Sequence, residues 1–153
     1  MSATAAPLVA EADVVVRVDP RRAFEAWTAG ISDWWRLDSP FWMDKERRRG
    51  LRFEPYVGGR FVEVYDDAGE GYEIGRVTAW EPGRLLGYTW RQSDWPEDAV
   101  TQVEIRFEPV DSGTRVSVRH SGFEKLREAG VEISVGYNEG LRMLLGWYEQ
   151  ALS

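Results

Sequence analysis

Glu63 and His120 are the residues of this chain whose side chains could carry acid–base chemistry. His120 is the only histidine, and an imidazole in a cavity could shuttle protons or hydrogen-bond a ligand carbonyl. Glu63 shares a strand face with Phe61 and Tyr65, so it could point into the same apolar space and act as an acid or base. Simpler interpretations are more common: a structural histidine near a strand end, and a solvated glutamate on an edge strand. We therefore treat Glu63 and His120 as candidate catalytic residues, weighed against these structural roles.

Other classes of chemistry lack the residues that they need. The chain has no cysteine, and one histidine without clustered donors does not make a zinc site, so we expect neither a metal nor a cofactor. The acidic stretch from Asp66 to Glu73 does not follow the spacing of an EF-hand. Nucleophile-elbow, phosphate-loop, dinucleotide-binding and zinc-protease motifs are missing from the sequence, which argues against hydrolase, kinase and dehydrogenase activity.

The formal net charge of -7 argues against nucleic acid or an anionic membrane as a partner, because such binding depends on Lys and Arg side chains that neutralise phosphates. The basic run from Lys45 to Gly50 is most simply a solvated loop. No signal peptide and no run of about 18 apolar residues is recognisable in the sequence. With the absence of cysteine, these features predict a soluble cytoplasmic protein, either a monomer or a homodimer.

The candidate residues must be positioned by a strand, two short helices and further strands. Residues 8–18 alternate as one strand, and Asp19 then caps a helix that ends before Gly30. Ser32 is placed to cap a further helical turn. Residues 37–49 lack periodicity and are expected to form a long loop.

From residue 51 to about 122 the hydrophobic pattern has a period of two, which predicts an antiparallel meander. Alternation in the last hairpin places Val116 and Val118 on a covered face. We expect one domain over residues 8–153 after a disordered tail at residues 1–7. The expected meander strands are residues 51–55, 60–65, 71–80, 84–91, 100–110 and 114–123.

The final segment, Ser134–Leu152, predicts a long amphipathic helix whose apolar stripe covers nearly half its circumference. Gly136 and Gly140 lie one above the other in it, and each weakens the helix by roughly 1 kcal/mol relative to alanine. We therefore expect a side chain, a backbone or a ligand to approach closely there. The stripe consists of Leu141, Leu145, Tyr148 and Leu152, widened by Tyr137, Leu144 and Trp147.

Five short motifs carry a family resemblance in this order and spacing: "VDPRRAFEAWT", "VGGRF", "GRVTAWEPGRLLGYTW", "SGTRVSVRHSGF" and "GWYEQAL". Together they resemble the START-like, or SRPBCC, superfamily, and within it the branch named after the activator of heat-shock protein 90 ATPase. The resemblance covers nearly the whole chain. One departure is that a Gly-Trp pair often opens the last helix in relatives, whereas Gly136 and Tyr137 stand here.

The resemblance implies an α+β helix-grip fold, in which a curved seven-stranded antiparallel sheet wraps a long C-terminal helix and leaves an apolar cavity between them. In that fold the aromatic segment at residues 32–50 runs over the mouth of the cavity. Trp27, Trp34 and Trp147 are expected to fill the core instead. The candidate ligand-binding residues are Trp35, Phe41, Trp42, Tyr88, Trp90, Trp95, His120, Tyr137 and Leu141.

The leading interpretation is a binding module that holds a small hydrophobic or aromatic molecule, oriented by His120, Tyr88 and Tyr137. Members of the superfamily also include cyclases and co-chaperone domains, so the fold alone does not decide the function. Two alternatives stay open. One is a cyclase or aromatase-type enzyme that uses Glu63 and His120 for proton transfer, and the other is a co-chaperone-like domain that contacts a chaperone or another protein.

Overall fold

Seven antiparallel strands form one sheet in the structure, which is a computed structural model that describes residues 8–153. The predicted tail at residues 1–7 lies outside the described residues. The strands are β1 (Val9–Val16), β2 (Gly50–Phe53), β3 (Arg60–Val64), β4 (Gly71–Glu81), β5 (Leu85–Trp90), β6 (Thr101–Val110) and β7 (Gly113–Ser121). Their order in the sheet is β1-β7-β6-β5-β4-β3-β2, so β2 to β7 form the predicted meander and β1 pairs with β7.

Two α-helices and two 3₁₀ helices accompany the sheet. Helix α1 spans Pro20–Trp27, and the carboxylate of Asp19 caps it by accepting a hydrogen bond of 2.8 Å from the backbone N–H of Arg22. Helix α2 spans Gly130–Ala151. The curled sheet and this long C-terminal helix confirm the predicted α+β helix-grip fold. The 3₁₀ helices span Ile31–Asp33 and Phe123–Ala129.

The predicted capping role of Ser32 is wrong. Ser32 lies inside the first 3₁₀ helix rather than before it. Its hydroxyl donates to the carbonyl of Leu51 at 3.1 Å and accepts from the N–H of the same residue at 2.9 Å. The side chain thus satisfies the backbone of edge strand β2 and makes no hydrogen bond to a helix end.

The helix predicted over Ser134–Leu152 begins earlier, at Gly130. The 3₁₀ helix before it, Phe123–Ala129, is kinked at Arg127, which takes a non-helical conformation with φ 57° and ψ -127°. Glycine is a poor helix former, so the residues around Gly130 gave no periodic signal for this start.

The inner face of the sheet is built by alternation, as predicted. Val103, Ile105 and Phe107 of β6 and Val116 and Val118 of β7 are all buried. The residues between them are exposed or partly exposed. One side of each strand therefore faces the core and the other faces solvent.

Helix α2 is fixed to the rest of the fold by two side chains. Asn138 accepts a hydrogen bond of 3.1 Å from the N–H of Glu11 and donates one of 3.0 Å to the carbonyl of Val9, both in edge strand β1. The buried hydroxyl of Tyr148 donates to the carbonyl of Ala23 in α1 at 2.6 Å. Neither of the helices in the described part of the chain has the length and apolarity needed to span a bilayer.

Candidate functional site

A cavity of about 660 Å³ lies between the sheet and α2. Strands of the sheet, α2 and the loop after α1 each supply part of its wall. Sites for small molecules usually enclose about 300 to 1,000 Å³. The structure gathers the candidate residues around this one space, while their role in binding stays a prediction. The cavity is lined by every one of them: Trp35, Phe41, Trp42, Tyr88, Trp90, Trp95, His120, Tyr137 and Leu141.

The loop after α1 forms an aromatic wall of the cavity. The indole N–H of Trp35 donates to the carbonyl of Phe41 at 3.2 Å, and that of Trp42 donates to the carbonyl of Arg36 at 2.9 Å. The rings of Trp35 and Trp42 lie 6.4 Å apart and are tilted by 70°. Because the loop's own carbonyls satisfy both indole N–H groups, these rings are left to contribute apolar surface to the wall.

Phe41 explains one of the helix glycines. A Cβ atom at Gly140 would lie 3.3 Å from Cε1 and Cζ of the Phe41 ring, so the ring occupies the space that a side chain would fill. The predicted close approach is confirmed at Gly140. At Gly136 no protein atom comes close, since a Cβ atom there would meet nothing within 4 Å, and the approach of a ligand stays a prediction. Gly136 instead lines the cavity, from an exposed position on α2.

Glu63 does not line the cavity, so its predicted placement there is wrong, and so is the alternative of a solvated carboxylate. Its side chain is only 1% exposed. The carboxylate accepts hydrogen bonds from the backbone N–H groups of Met43 at 2.8 Å and Asp44 at 2.9 Å, and from the hydroxyl of Tyr65 at 2.7 Å. Burial, and then this contact with Glu63, raises the pKa of Tyr65. Glu63 therefore anchors the aromatic loop and is not brought together with His120 in the cavity.

The charged part of the loop lies at the surface. Arg47 donates to the carboxylate of Asp44 at 2.8 Å, and its guanidinium carbon lies 4.5 Å from the centre of the Tyr65 ring. The hydrogen bond from Arg47 lowers the pKa of Asp44. The basic run after Asp44 is largely exposed, in agreement with a solvated loop, and it continues into β2.

His120 lies on the cavity wall among aromatic rings. Its ring centre is 4.6 Å from that of Phe123, 5.2 Å from that of Tyr137 and 6.1 Å from that of Trp90. Its Nε2 atom is 2.6 Å from the hydroxyl oxygen of Thr101, and that hydroxyl donates to the carbonyl of Trp90 at 2.9 Å. Burial lowers the pKa of His120 to about 3, so the imidazole is neutral at physiological pH.

Most other polar atoms of the wall bond to one another. The indole N–H of Trp90 donates to the hydroxyl of Tyr137 at 2.9 Å, which in turn donates to the side-chain carbonyl of Gln92 at 2.7 Å. The hydroxyl of Tyr88 accepts from the indole N–H of Trp27 at 3.4 Å. Burial raises the pKa of both Tyr88 and Tyr137, which keeps their hydroxyls protonated. Trp27, expected only in the core, is buried and also lines the cavity.

Sequence patterns did not identify Thr101 and Gln92 as residues of the site. Thr101 carries a usable signal, because it continues the buried alternation of Val103, Ile105 and Phe107 and therefore lies on the inner face. Gln92 follows β5 in a loop, where no periodic pattern marks it. Across residues 8–153, no group of three or more His, Cys, Asp or Glu side chains is arranged to hold a metal ion.

Comparison with known proteins assigns the family. A model of the family described as activator of Hsp90 ATPase homolog 1-like protein matches residues 17–147. The chain belongs to this family. The match confirms the resemblance identified from the five motifs. Among curated proteins, none matches the chain.

Solved structures share the fold of this chain. The protein MLL2253 from Mesorhizobium loti is 23% identical, with a TM-score of 0.69 and coverage of 93% of this chain and 94% of that chain. The anthrahydroquino-gamma-pyrone synthase Txn09, complexed with SUM, is 31% identical, with a TM-score of 0.61 and coverage of 93% and 95%. The Aha1 dimer from Colwellia psychrerythraea is 17% identical, with a TM-score of 0.61 and coverage of 94% and 95%.

Proposed function

We propose that this protein binds a small, planar, hydrophobic or aromatic molecule in the cavity between the sheet and α2. The observation that carries the proposal is a space of about 660 Å³ bordered by tryptophan, tyrosine and phenylalanine rings from three separate parts of the chain. Flat rings on several sides favour a flat guest, because offset-stacked and edge-to-face aromatic contacts each add about 0.5 to 1.5 kcal/mol beyond the area that they bury.

The expected affinity follows from the buried area. A two-ring or three-ring compound that buries roughly 300 Å² of apolar surface gains roughly 7 kcal/mol at about 25 cal/mol per Å². The loss of translational and rotational freedom costs at least about 4 kcal/mol, and several aromatic contacts at about 0.5 to 1.5 kcal/mol each offset most of that cost. Dissociation constants in the micromolar range are therefore expected for simple planar probes.

The test is a fluorescence titration with anthraquinone, flavone and naphthalene, supported by native mass spectrometry of the protein mixed with a metabolite extract. The variant Gly136→Leu places a bulky side chain in the cavity, and Gly146→Leu makes the same change at an exposed α2 position that does not line it. We expect micromolar binding to the wild type and to Gly146→Leu, and at least tenfold weaker binding to Gly136→Leu. Unchanged tryptophan fluorescence with every probe, and no bound mass, would contradict the proposal.

A cyclase-type enzyme is the second candidate, and the 31% identity to a protein named as an anthrahydroquino-gamma-pyrone synthase favours it. His120 would have to transfer the proton without Glu63. Its lowered pKa makes it a weak base, which is why we rank binding first. Incubation of the protein with 2-acetylnaphthalene in D₂O tests the reaction. An enzyme would be supported if the wild type incorporates deuterium at the carbon next to the carbonyl and His120→Phe does not.

A co-chaperone-like role is the third candidate, supported by the family's name and by a fold shared with an Aha1 dimer. A purified Hsp90 would then bind the protein and show a changed ATPase rate. Sedimentation of the purified protein would decide between the monomer and the homodimer. We keep the cytoplasm as the proposed location.

A further inference from the structure

The proton on the imidazole of His120 can be located from its neighbours. Thr101 has one hydroxyl proton, and the carbonyl of Trp90, 2.9 Å from its oxygen, can only accept a hydrogen bond. The proton of Thr101 therefore goes to Trp90. The hydroxyl oxygen is then the acceptor in its 2.6 Å contact with Nε2 of His120, so Nε2 carries the imidazole proton. The neutral ring keeps its lone pair on Nδ1.

Nδ1 of His120 is a free acceptor at the cavity wall. It has no hydrogen-bond partner among residues 8–153. In this part of the chain, every side-chain nitrogen or oxygen that is fully buried does have a partner. Nδ1 is therefore not sealed inside the protein but reached from open space. His120 is 6% exposed and lines the cavity. The low pKa of His120 agrees with a lone pair that stays unprotonated.

The buried tyrosine hydroxyls of the wall do not compete with this acceptor. The hydroxyl of Tyr137 both accepts from Trp90 and donates to Gln92, so its strong hydrogen bonds are already made. Tyr88 keeps its hydroxyl proton, which has no acceptor in the part of the chain described here. Among the buried side chains of the wall, His120 thus offers an acceptor and Tyr88 a donor, whereas the carboxylate of Asp94 and the amide of Gln92 lie on more exposed parts of the lining.

We infer that the cavity selects a planar aromatic molecule that carries a hydroxyl group, whose O–H donates to Nδ1 of His120. This inference rests on the proposed binding function. It corrects the expectation that His120 hydrogen-bonds a ligand carbonyl, because a carbonyl cannot donate to a bare lone pair. A carbonyl on the same molecule is instead matched by the hydroxyl of Tyr88.

A site that hydrogen-bonds a hydroxyl discriminates strongly against an analogue that lacks it, because the buried acceptor is then left unpaired. The test measures dissociation constants of naphthalene, 1-naphthol and 1-methoxynaphthalene. We expect 1-naphthol to bind at least tenfold more tightly than either of the others. 1-Naphthol is more water-soluble than naphthalene, so a preference for 1-naphthol cannot come from hydrophobicity.

Two variants test whether the preference for 1-naphthol comes from Nδ1 of His120. His120→Phe keeps a ring of similar size and should bind the three probes with nearly equal constants, whereas Tyr88→Phe should retain the preference for 1-naphthol. If none of the probes binds the wild type, the binding function itself fails. If all three bind the wild type equally, the binding function stands and the hydroxyl selection is overturned.

A second measurement needs no variant that could fail to fold. The chain has a single histidine, so ¹⁵N-histidine labelling gives one imidazole whose two-bond ¹⁵N–¹H correlations distinguish the tautomers. We expect the Nε2–H form at pH 6 and pH 8, and a shift of the Nδ1 resonance on addition of 1-naphthol but not of naphthalene. An Nδ1–H tautomer, or a charged ring at pH 6, overturns the inference.

Discussion

The buried carboxylate of Glu63 accepts a hydrogen bond of 2.8 Å from the backbone N–H of Met43. Its second oxygen accepts from the N–H of Asp44, the next residue, at 2.9 Å. One side chain of β3 thereby fixes the loop that carries Phe41 and Trp42 to the cavity. Glu63, one of the two candidate catalytic residues, thus positions an aromatic wall of the cavity.

Glu63→Gln should loosen this loop. An amide has one oxygen instead of two, so its NH₂ group must face one of the backbone donors, and a buried donor without a partner costs about 1 to 3 kcal/mol. We expect the free energy of unfolding in urea to fall by about 2 kcal/mol. Trypsin should cleave the native protein faster between Lys45 and Arg49. Tyr65→Phe is the control, because it removes only the third donor; equal cleavage rates in Glu63→Gln and wild type would contradict the anchoring role.

Stability should depend on pH through His120. Burial lowers its pKa from 6.5 to about 3, so between these values the unfolded chain binds a proton that the folded chain does not. The folded state is therefore favoured at high pH and loses stability as the pH falls below about 6.5. Between pH 7 and pH 5, the wild type should lose about 2 kcal/mol that His120→Phe does not lose. Urea denaturation at pH 7, 6 and 5 measures how the free energy of unfolding depends on pH in the wild type and in His120→Phe. The same dependence in both proteins would refute the prediction.

Three glycines of α2 should respond differently to alanine. Gly136→Ala and Gly146→Ala place a methyl group in open space at exposed positions, so each should raise the free energy of unfolding by about 1 kcal/mol. Gly140→Ala puts its methyl 3.3 Å from two atoms of the Phe41 ring, which offsets the gain in helix propensity. Thermal unfolding compares the three; an equal increase in all of them would show that Phe41 moves away freely.

Tyr148→Phe should weaken the attachment of α2 to α1. It removes the 2.6 Å hydrogen bond to the carbonyl of Ala23 and leaves the rest of the ring in place, at a cost of about 1 kcal/mol. Because burial raises the pKa of Tyr148, the difference from wild type should stay constant from pH 6 to pH 9. Tyr56→Phe, at a position that is 56% exposed, is the matched change and should have no effect. If the difference in free energy of unfolding between wild type and Tyr148→Phe disappears by pH 9, the hydroxyl of Tyr148 is not a buried donor.

The fold was accessible from the sequence wherever local chemistry decides it. Alternation placed Val116 and Val118 on the inner face, and the acid–proline pair before α1 located its start. Glycines mark the hairpin corner before β3, where Gly58 has a positive φ of 90° and Gly59 does not. At Gly59 the reason is space, since a Cβ atom would lie 2.6 Å from the carbonyl oxygen of Glu54.

The details of the site were less accessible because they depend on partners far apart in the chain. Glu63 bonds to backbone N–H groups about twenty residues earlier, and backbone donors leave no mark on side-chain patterns. The tautomer of His120 depends on its contact with Thr101. This contact can be recognised only when β6 and β7 are paired in register. The gathering of aromatic residues could be predicted because the family resemblance supplied the three-dimensional arrangement that periodicity alone does not give.

One wall of the cavity belongs to α2, the last helix, and the others belong to segments synthesised much earlier. The cavity is therefore complete only when α2 is docked on the sheet. A guest of the kind proposed above would bind this docked form and not the open one, so it would favour the docked form by mass action.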